Sequence, residues 1–220
     1  MLAIIVPAFN EEKKIGRVLR DLFEHGYSNV VVVDDGSRDK TGLIAKEAGA
    51  KVITHILNRG QGAALQTGNE FALSNGAQTI VHFDADGQFK AEDINFSLMV
   101  FNEGNYDAIL GSRFLDRRSQ VPLTKKYLII PVARFINFLI TGVWLTDAHN
   151  GFRVLSAHMA KKIKIRQDGM AHNTEIVRQL KKNNFNFIEC PIKVIYDEYG
   201  QNVFGGLKIL SDLIKSKLFN

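Results

Sequence analysis

At 220 residues, with 45% hydrophobic and 23% charged side chains and four prolines, the chain has the composition of a globular domain, which excludes a disordered chain, a collagen-like rod and a coiled coil. Its single cysteine, Cys190, excludes an internal disulfide framework and a multi-cysteine zinc site, and fits a reducing compartment. Lysines and arginines outnumber aspartates and glutamates by 28 to 23, a net charge of +5 that suits phosphates or an anionic membrane face. The basic residues are scattered and carry no nucleic-acid-reading motif, so no nucleic-acid partner is expected.

The N-terminal string MLAIIVPAFNEE turns acidic with no basic stretch ahead of its apolar run, and is read as part of the fold rather than a secretory signal. Residues 2–6 form a strand-like run. Asn10 is placed to cap a helix whose Ile15, Val18, Leu19, Leu22 and Phe23 share a face and which closes at Gly26. A strand at 30–33, a helix over about 39–48, a strand at 51–55, a helix at 62–74 and a strand at 78–83 follow. Apolar strands alternating with helices predict βαβ units around a buried parallel sheet, an α/β fold. The second half is read as a helix at 93–102, strands at 106–110 and 185–194, and an amphipathic helix at 203–218 with Leu207, Leu210, Leu213, Ile214 and Leu218 on one side. No repeat or low-complexity linker divides the chain, so 1–220 is expected to be one domain.

Residues 127–145 are mostly apolar and close to membrane-spanning length. Pro131 and Gly142 interrupt them, and Arg134 and Asn137 lie near the middle. Three readings stand: a core helix, a helix lying on a membrane surface, and a true span. A mid-bilayer arginine, costing at least ~2.5 kcal/mol, weighs against the span.

In an open parallel sheet, ligands bind at the carboxyl ends of the strands. Here those ends read PAFNEE (7–12), DDGSRD (34–39), NRGQG (58–62) and DADGQ (84–88). Singly, each is a turn with a helix cap; four together on one edge make a ligand cleft. Neither G-x-G-x-x-G nor a P-loop string occurs, which disfavours a dinucleotide site and excludes a P-loop. Asp84 and Asp86, one residue apart past a buried strand, can reach one hard divalent cation, Mg²⁺ or Mn²⁺, of the kind that also takes substrate phosphates.

The strings IVPAFNEE, VVVDDGSRDKT, NRGQGAALQTG, HFDADGQ, GSRF and DAHNGFR, within residues 4–153, resemble those of the family 2 inverting glycosyltransferases, which have the GT-A nucleotide-sugar fold. Within that family the chain looks most like the polyprenyl-phosphate (dolichyl- or undecaprenyl-type) glycosyltransferases, and MAHNTE at 170–175 and GGLKIL at 205–210 continue the likeness toward a short, soluble bacterial-type branch, over nearly the whole chain. The resemblance implies a nucleotide-sugar-binding half, 1–110, and an acceptor-side half, 111–220. In it Pro7, Phe9 and Glu11 line the base pocket and Asp35 bonds the nucleobase or ribose, with Gly36, Asn58, Gly62, Asp84 and Ala85 completing the nucleotide site. Asp84 and Asp86 hold the metal that bridges the diphosphate, with Gln88 beside it. Arg113 faces a donor or acceptor phosphate, while Asp147, Asn150, Gly151 and Arg153 shape the acceptor side near His172 and Glu175.

The chain departs from the family in places. Phe89 stands where members often carry histidine after DADGQ, which predicts the loss of a ligand or contact there. The Gln-x-x-Arg-Trp string of processive synthases is absent, Trp144 being the sole tryptophan, which argues against a polymerising enzyme. Membrane-anchored members of the family carry transmembrane helices downstream, which these 220 residues do not contain, so lipid access is expected through 127–145, the terminal helix or a separate small membrane subunit, with the protein peripheral at the cytoplasmic face.

A phosphate monoester is already anionic at pH 7, its second pKa being about 6, and needs cations more than a base. Arg113, Arg117, Arg118, Arg134 and Arg153 are candidates for steering it. A glycan hydroxyl is the alternative acceptor; it would need a general base, for which Asp147 is the candidate, its other reading being a turn or cap carboxylate. His172 and Glu175 also read as a packed histidine and its capping partner at a helix start. A hexose moved from a UDP- or GDP-sugar to a polyprenyl phosphate is the expected reaction. A non-catalytic nucleotide-sugar binder is the competing class, against which the intact Asp84–Asp86 pair speaks.

Overall fold

The computed structural model describes residues 1–116, 118, 119, 130–169 and 171–195. Strands β1 (Leu2–Ala8), β2 (Val30–Asp34), β3 (Lys51–Thr54) and β4 (Thr79–His82) alternate with helices α1 (Ile15–Glu24), α2 (Thr41–Glu47) and α3 (Gln61–Ser74). Next come α4 (Glu92–Glu103), β5 (Ala108–Ser112), α5 (Ile130–Thr141), β6 (Arg153–Ser156), α6 (Ala157–Lys162), α7 (His172–Lys182) and β7 (Phe187–Pro191). The described strands form one seven-stranded sheet in the order β3-β2-β1-β4-β6-β5-β7. β6 alone runs antiparallel to its neighbours, β4 and β5; every other described pairing is parallel. The α/β, mostly parallel fold expected from the sequence is the one observed.

Alternation along β1 sends its side chains to two cores. Ile4 and Val6 pack with Ile15, Val18, Leu19 and Leu22 of α1 and Ile94 and Phe101 of α4. Ala3 and Ile5 meet Ala64, Leu65 and Ala72 of α3, Met159 of α6 and Ile176, Val177 and Leu180 of α7. Both sheet faces are therefore covered, which is why the central strands are apolar without a polar face. Each such leucine or isoleucine contributes roughly 1.5–3 kcal/mol by burial.

β4 and β5 point the same way and β6 is antiparallel between them, with Arg153 opposite both His82 and Leu110. The loop entering β6 therefore arrives at the edge where β4 and β5 end. Topology alone brings DADGQ, GSRF and DAHNGFR together.

Several expectations are corrected. Asn10 does not cap α1: it sits at φ 55°, its side-chain oxygen accepts the Arg38 N–H at 2.9 Å, and its own N–H donates to Ser37 Oγ. It stitches the first loop to the second. β6 and α6 were not foreseen, each being too short to show a period, and α7 was foreseen only as a helix start. Residues 203–218 lie outside the described residues. α5 is 12 residues long, and no described helix is long and apolar enough to cross a membrane. Nor is it a core helix: its buried residues are Asn137 and Thr141, whereas Val132, Phe135, Phe138 and Leu139 are exposed. α5 packs on α7 with its apolar side outward.

Candidate active site at the strand ends

Past β4 the two-residue alternation continues. Phe83 and Ala85 turn into the core, while Asp84 and Asp86 remain partly exposed. Gln61, the first residue of α3, donates from Nε2 to Asp84 Oδ1 at 2.8 Å. The Gln88 N–H closes the loop onto Asp86 Oδ1 at 3.0 Å, and the Gln88 carbonyl accepts the Ile195 N–H. Burial and the neighbouring Asp86 charge push the Asp84 carboxyl up to about 7, against the opposing pull of Arg153 and Arg113. Burial also raises Glu11 above the usual carboxylate range, with Asp86 and Asp39 adding to it against Lys14. Negative charge is thus crowded here.

The crowding bears on whether a divalent cation fits. Gly151 lies so near that a Cβ there would stand 2.3 Å from Asp84 Oδ2, so the glycine leaves room for the carboxylate. Among the described residues no group of three His, Cys, Asp or Glu side chains could hold a metal. Two carboxylates one residue apart suit Mg²⁺ or Mn²⁺, which keep water and take phosphate oxygens, and the donor set fits them. Phe89 is 7% exposed and stacks edge-on against Phe83 and Phe152, at 5.7 and 5.9 Å between ring centres. Position 89 faces the core, so its departure from histidine removes no ligand from this pair.

Loops one to three are wired to one another. The Glu11 N–H donates to Thr41 Oγ1 at 2.7 Å. Pro7 is buried within β1, and Phe9 is 43% exposed beside the cleft edge. Gly36 turns at φ 72°, where a Cβ would meet the Asn58 backbone nitrogen at 2.8 Å; only glycine fits. Asp35 accepts the Arg59 N–H at 3.0 Å, the Gly60 N–H at 2.6 Å and His55 Nδ1 at 2.7 Å, with His55 Nε2 on Thr67. The Gly62 N–H donates to the Asp168 carbonyl, so residues 167–168 lie across this loop, while Asn58 stays exposed. Glu175 holds that crossing segment by accepting the Arg166 and Gln167 N–H groups, both at 2.9 Å.

The second half contributes an ion pair. Arg113 Nε lies 2.6 Å from Asp147 Oδ2, and the same oxygen accepts the Arg113 N–H and Asn150 Nδ2, each at 3.1 Å. Arg153 is 2% exposed, donating to the Gly151 and Asn150 carbonyls and to Asn173 Oδ1. Burial draws its guanidinium down to about 10, although Asp84 and Asp147 oppose this. Enclosed in this way, Arg153 acts as a fixed charge between two carboxylates, not as a steering arm. Arg118 pairs with Asp93 and Asp116, and Arg134 donates to the Leu145 carbonyl while lying over the Trp144 ring. Arg117 lies outside the described residues.

His172 is buried, its Nδ1 on the Gly169 carbonyl, and burial with the Arg153 charge holds it down at about 3. The packed-histidine reading describes it. The residues that sequence reasoning passed over are Gln61, Asn173 and Glu189, while His149, without metal-ligand spacing, reads from the sequence as structural. Both ring nitrogens of His149 are buried without a hydrogen-bond partner among the described residues, and burial lowers its pKa, with Asp147 opposing and Arg113 and Arg153 adding to the shift. The available signal for Glu189 was a carboxylate inside an otherwise apolar strand.

A mostly parallel sheet with polar loops at one edge, a carboxylate pair after β4 and an antiparallel strand between β4 and β5 defines a glycosyltransferase of GT-A architecture. Residues 3–164 match the family model of Glycosyl transferase family 2. The chain belongs to that family and is an enzyme that transfers a sugar. It is 35% identical over 243 residues to a UDP-N-acetylglucosamine–dolichyl-phosphate N-acetylglucosaminyltransferase of Methanococcus voltae, covering 99% of this chain and 96% of the relative. It is 27% identical to a polyprenol monophosphomannose synthase of Mycolicibacterium smegmatis, covering 96% and 84%. Its fold is shared with glucosyl-3-phosphoglycerate synthase of Mycobacterium tuberculosis in complex with Mn²⁺ and UDP-glucose, at a TM-score of 0.73 and 14% identity, over 98% of this chain and 78% of the other.

Proposed function

We propose that this enzyme moves a hexose, with inversion, from a UDP- or GDP-sugar to a polyprenyl phosphate at a membrane surface, using Mg²⁺ or Mn²⁺ held by Asp84 and Asp86. The observation that carries the reading is the meeting, at one sheet edge, of the Asp84–Asp86 pair with the Arg113–Asp147 pair. The two named relatives, whose names carry dolichyl phosphate and polyprenol, support the acceptor class. A cation bound by the aspartates would neutralise charge developing on the departing diphosphate. The protein's own parts do the rest. Phe9 and Glu11 flank the base site, Gln61 holds Asp84 while Arg153 lends it positive charge, and Arg113 brings positive charge toward the acceptor phosphate while Asp147 holds it.

The outward apolar side of α5 supports a lipid-facing role. Trp144 is 58% exposed, its ring 5.5 Å from Phe138 and under Arg134, an aromatic and cationic edge of the kind that sits at headgroup depth. Peripheral attachment at the cytoplasmic face, by this helix or with a separate membrane subunit, belongs to the same proposal.

The test supplies radiolabelled UDP- and GDP-sugars to the enzyme with a membrane lipid extract and Mn²⁺. Label entering the organic phase, and lost with EDTA, is expected. Label that stays in water-soluble glycan overturns the acceptor assignment. Vesicles of anionic lipid should bind the protein in a salt-sensitive way, and Phe135→Asp should abolish that binding.

A further inference from the structure

The segment carrying Asp147, between α5 and β6, has no regular secondary structure to hold it. Its backbone donors converge on one carboxylate. Glu189, central in β7, accepts the Thr146 N–H at 2.9 Å on Oε1 and 2.8 Å on Oε2. Oε1 also accepts the Asp147 N–H at 3.0 Å and the Thr146 hydroxyl at 2.8 Å. Thr146 Oγ1 is 2.6 Å from Ser112 Oγ, which accepts the Phe114 N–H at 3.2 Å.

Donor directions run one way along this chain. The Phe114 N–H points to Ser112, the Ser112 hydroxyl to Thr146, and the Thr146 hydroxyl to Glu189. One carboxylate therefore ties the loop bearing Asp147 to the loop bearing Arg113. Glu189 forms no ion pair among the described residues, so its charge is matched by neutral donors alone. Glutamate is a poor strand former, and β7 as a strand has no use for it. Its contacts account for its presence.

We propose that Glu189 is a positioning residue for the Asp147–Arg113 pair, fixing the backbone at Thr146 and Asp147 so that Asp147 Oδ2 meets Arg113 where the acceptor phosphate arrives. This rests on the function proposed above, in which that pair faces the acceptor. Glu189 touches neither substrate nor cation and acts through Asp147.

The test is a double-mutant cycle on the full chain, with kcat and donor KM measured separately for Glu189→Ala, Glu189→Gln, Asp147→Asn and the combinations. Glu189→Ala is expected to lower kcat about 10- to 100-fold, with donor KM within about twofold. Glutamine keeps an oxygen where Oε1 accepts three bonds, and should recover at least about fivefold of that loss. In the Asp147→Asn background the same change at 189 should cost less than about twofold, because the group it positions is already disabled. An equal cost in both backgrounds overturns the proposal. If Glu189→Ala does not fold, the cycle is read with Glu189→Met, which keeps the side-chain length and removes the acceptor oxygens. A wild-type enzyme that glycosylates no lipid phosphate breaks the proposed function, and amide exchange then tests the clamp by itself. Amides of Thr146 and Asp147 that are protected in the wild type and exchange at least about tenfold faster in the 189 variant, with β5 amides unchanged, support the clamp. Unchanged exchange at both sinks it.

Discussion

Asp35 and Asp84 follow neighbouring regions of the same sheet, after β2 and β4, and look alike in sequence. Their surroundings differ. Asp35 is satisfied by the third loop through two backbone N–H groups and His55. Among the described residues Asp84 accepts a single hydrogen bond, from Gln61, and burial, with a second carboxylate beside it, pushes it up to about 7. A carboxylate met by the chain's own donors holds loops in place. One left short of donors and next to like charge is prepared for a cation.

Four substitutions and a titration would break or sharpen that contrast. Asp86→Ala should lower transfer by about 10³-fold or more, with the far-UV circular dichroism unchanged; activity retained in EDTA would remove the cation from the site. Gly151→Ala puts a methyl 2.3 Å from Asp84 Oδ2, forces that carboxylate aside, and should cost about 10- to 100-fold in rate with weaker Mn²⁺ affinity by titration calorimetry. Asp35→Ala leaves the N–H groups of Arg59 and Gly60 without their acceptor and should lower stability in urea by about 2–4 kcal/mol before any ligand is added. Asp84→Asn, by contrast, should not destabilise the metal-free protein at pH 8.

The smallest effect is a pH dependence. The Asp84 carboxyl, raised from 3.8 to about 7, keeps its proton in the fold while the unfolded chain has lost it. Metal-free stability is therefore full below about pH 4 and declines as the pH climbs toward 7. A cation that binds the ionised pair need not displace that proton above pH 7. Mn²⁺ should raise Tm by a few degrees more at pH 8 than at pH 6. Equal shifts at both pH values would mean that Asp84 is already ionised in the free enzyme.

Much of the first half is legible along the chain because its signals are local. The apolar runs of β1, β2 and β4, the helical spacing of Ile15, Val18, Leu19 and Leu22, and Asp84–Asp86 just beyond a strand each need only a few neighbouring residues. The second half resists such reading. β6 has four residues, and α5 carries a core-like composition that faces outward because its polar Asn137 and Thr141 are the buried ones. Composition reports how apolar a helix is, not which side a neighbour covers.

The residues themselves fixed the α/β alternation, the edge where ligands gather and the paired aspartates, since period and chain order suffice for these. Tertiary packing decided what each charge does. Arg153 became an enclosed charge between two carboxylates, Arg113 joined Asp147 across 34 residues, and Glu189 reached the loop of Asp147 across about 43. Hydrogen bonds of a few ångströms between residues so far apart exist only after the sheet has brought β4, β5, β6 and β7 to a common edge, and no spacing along the chain encodes them.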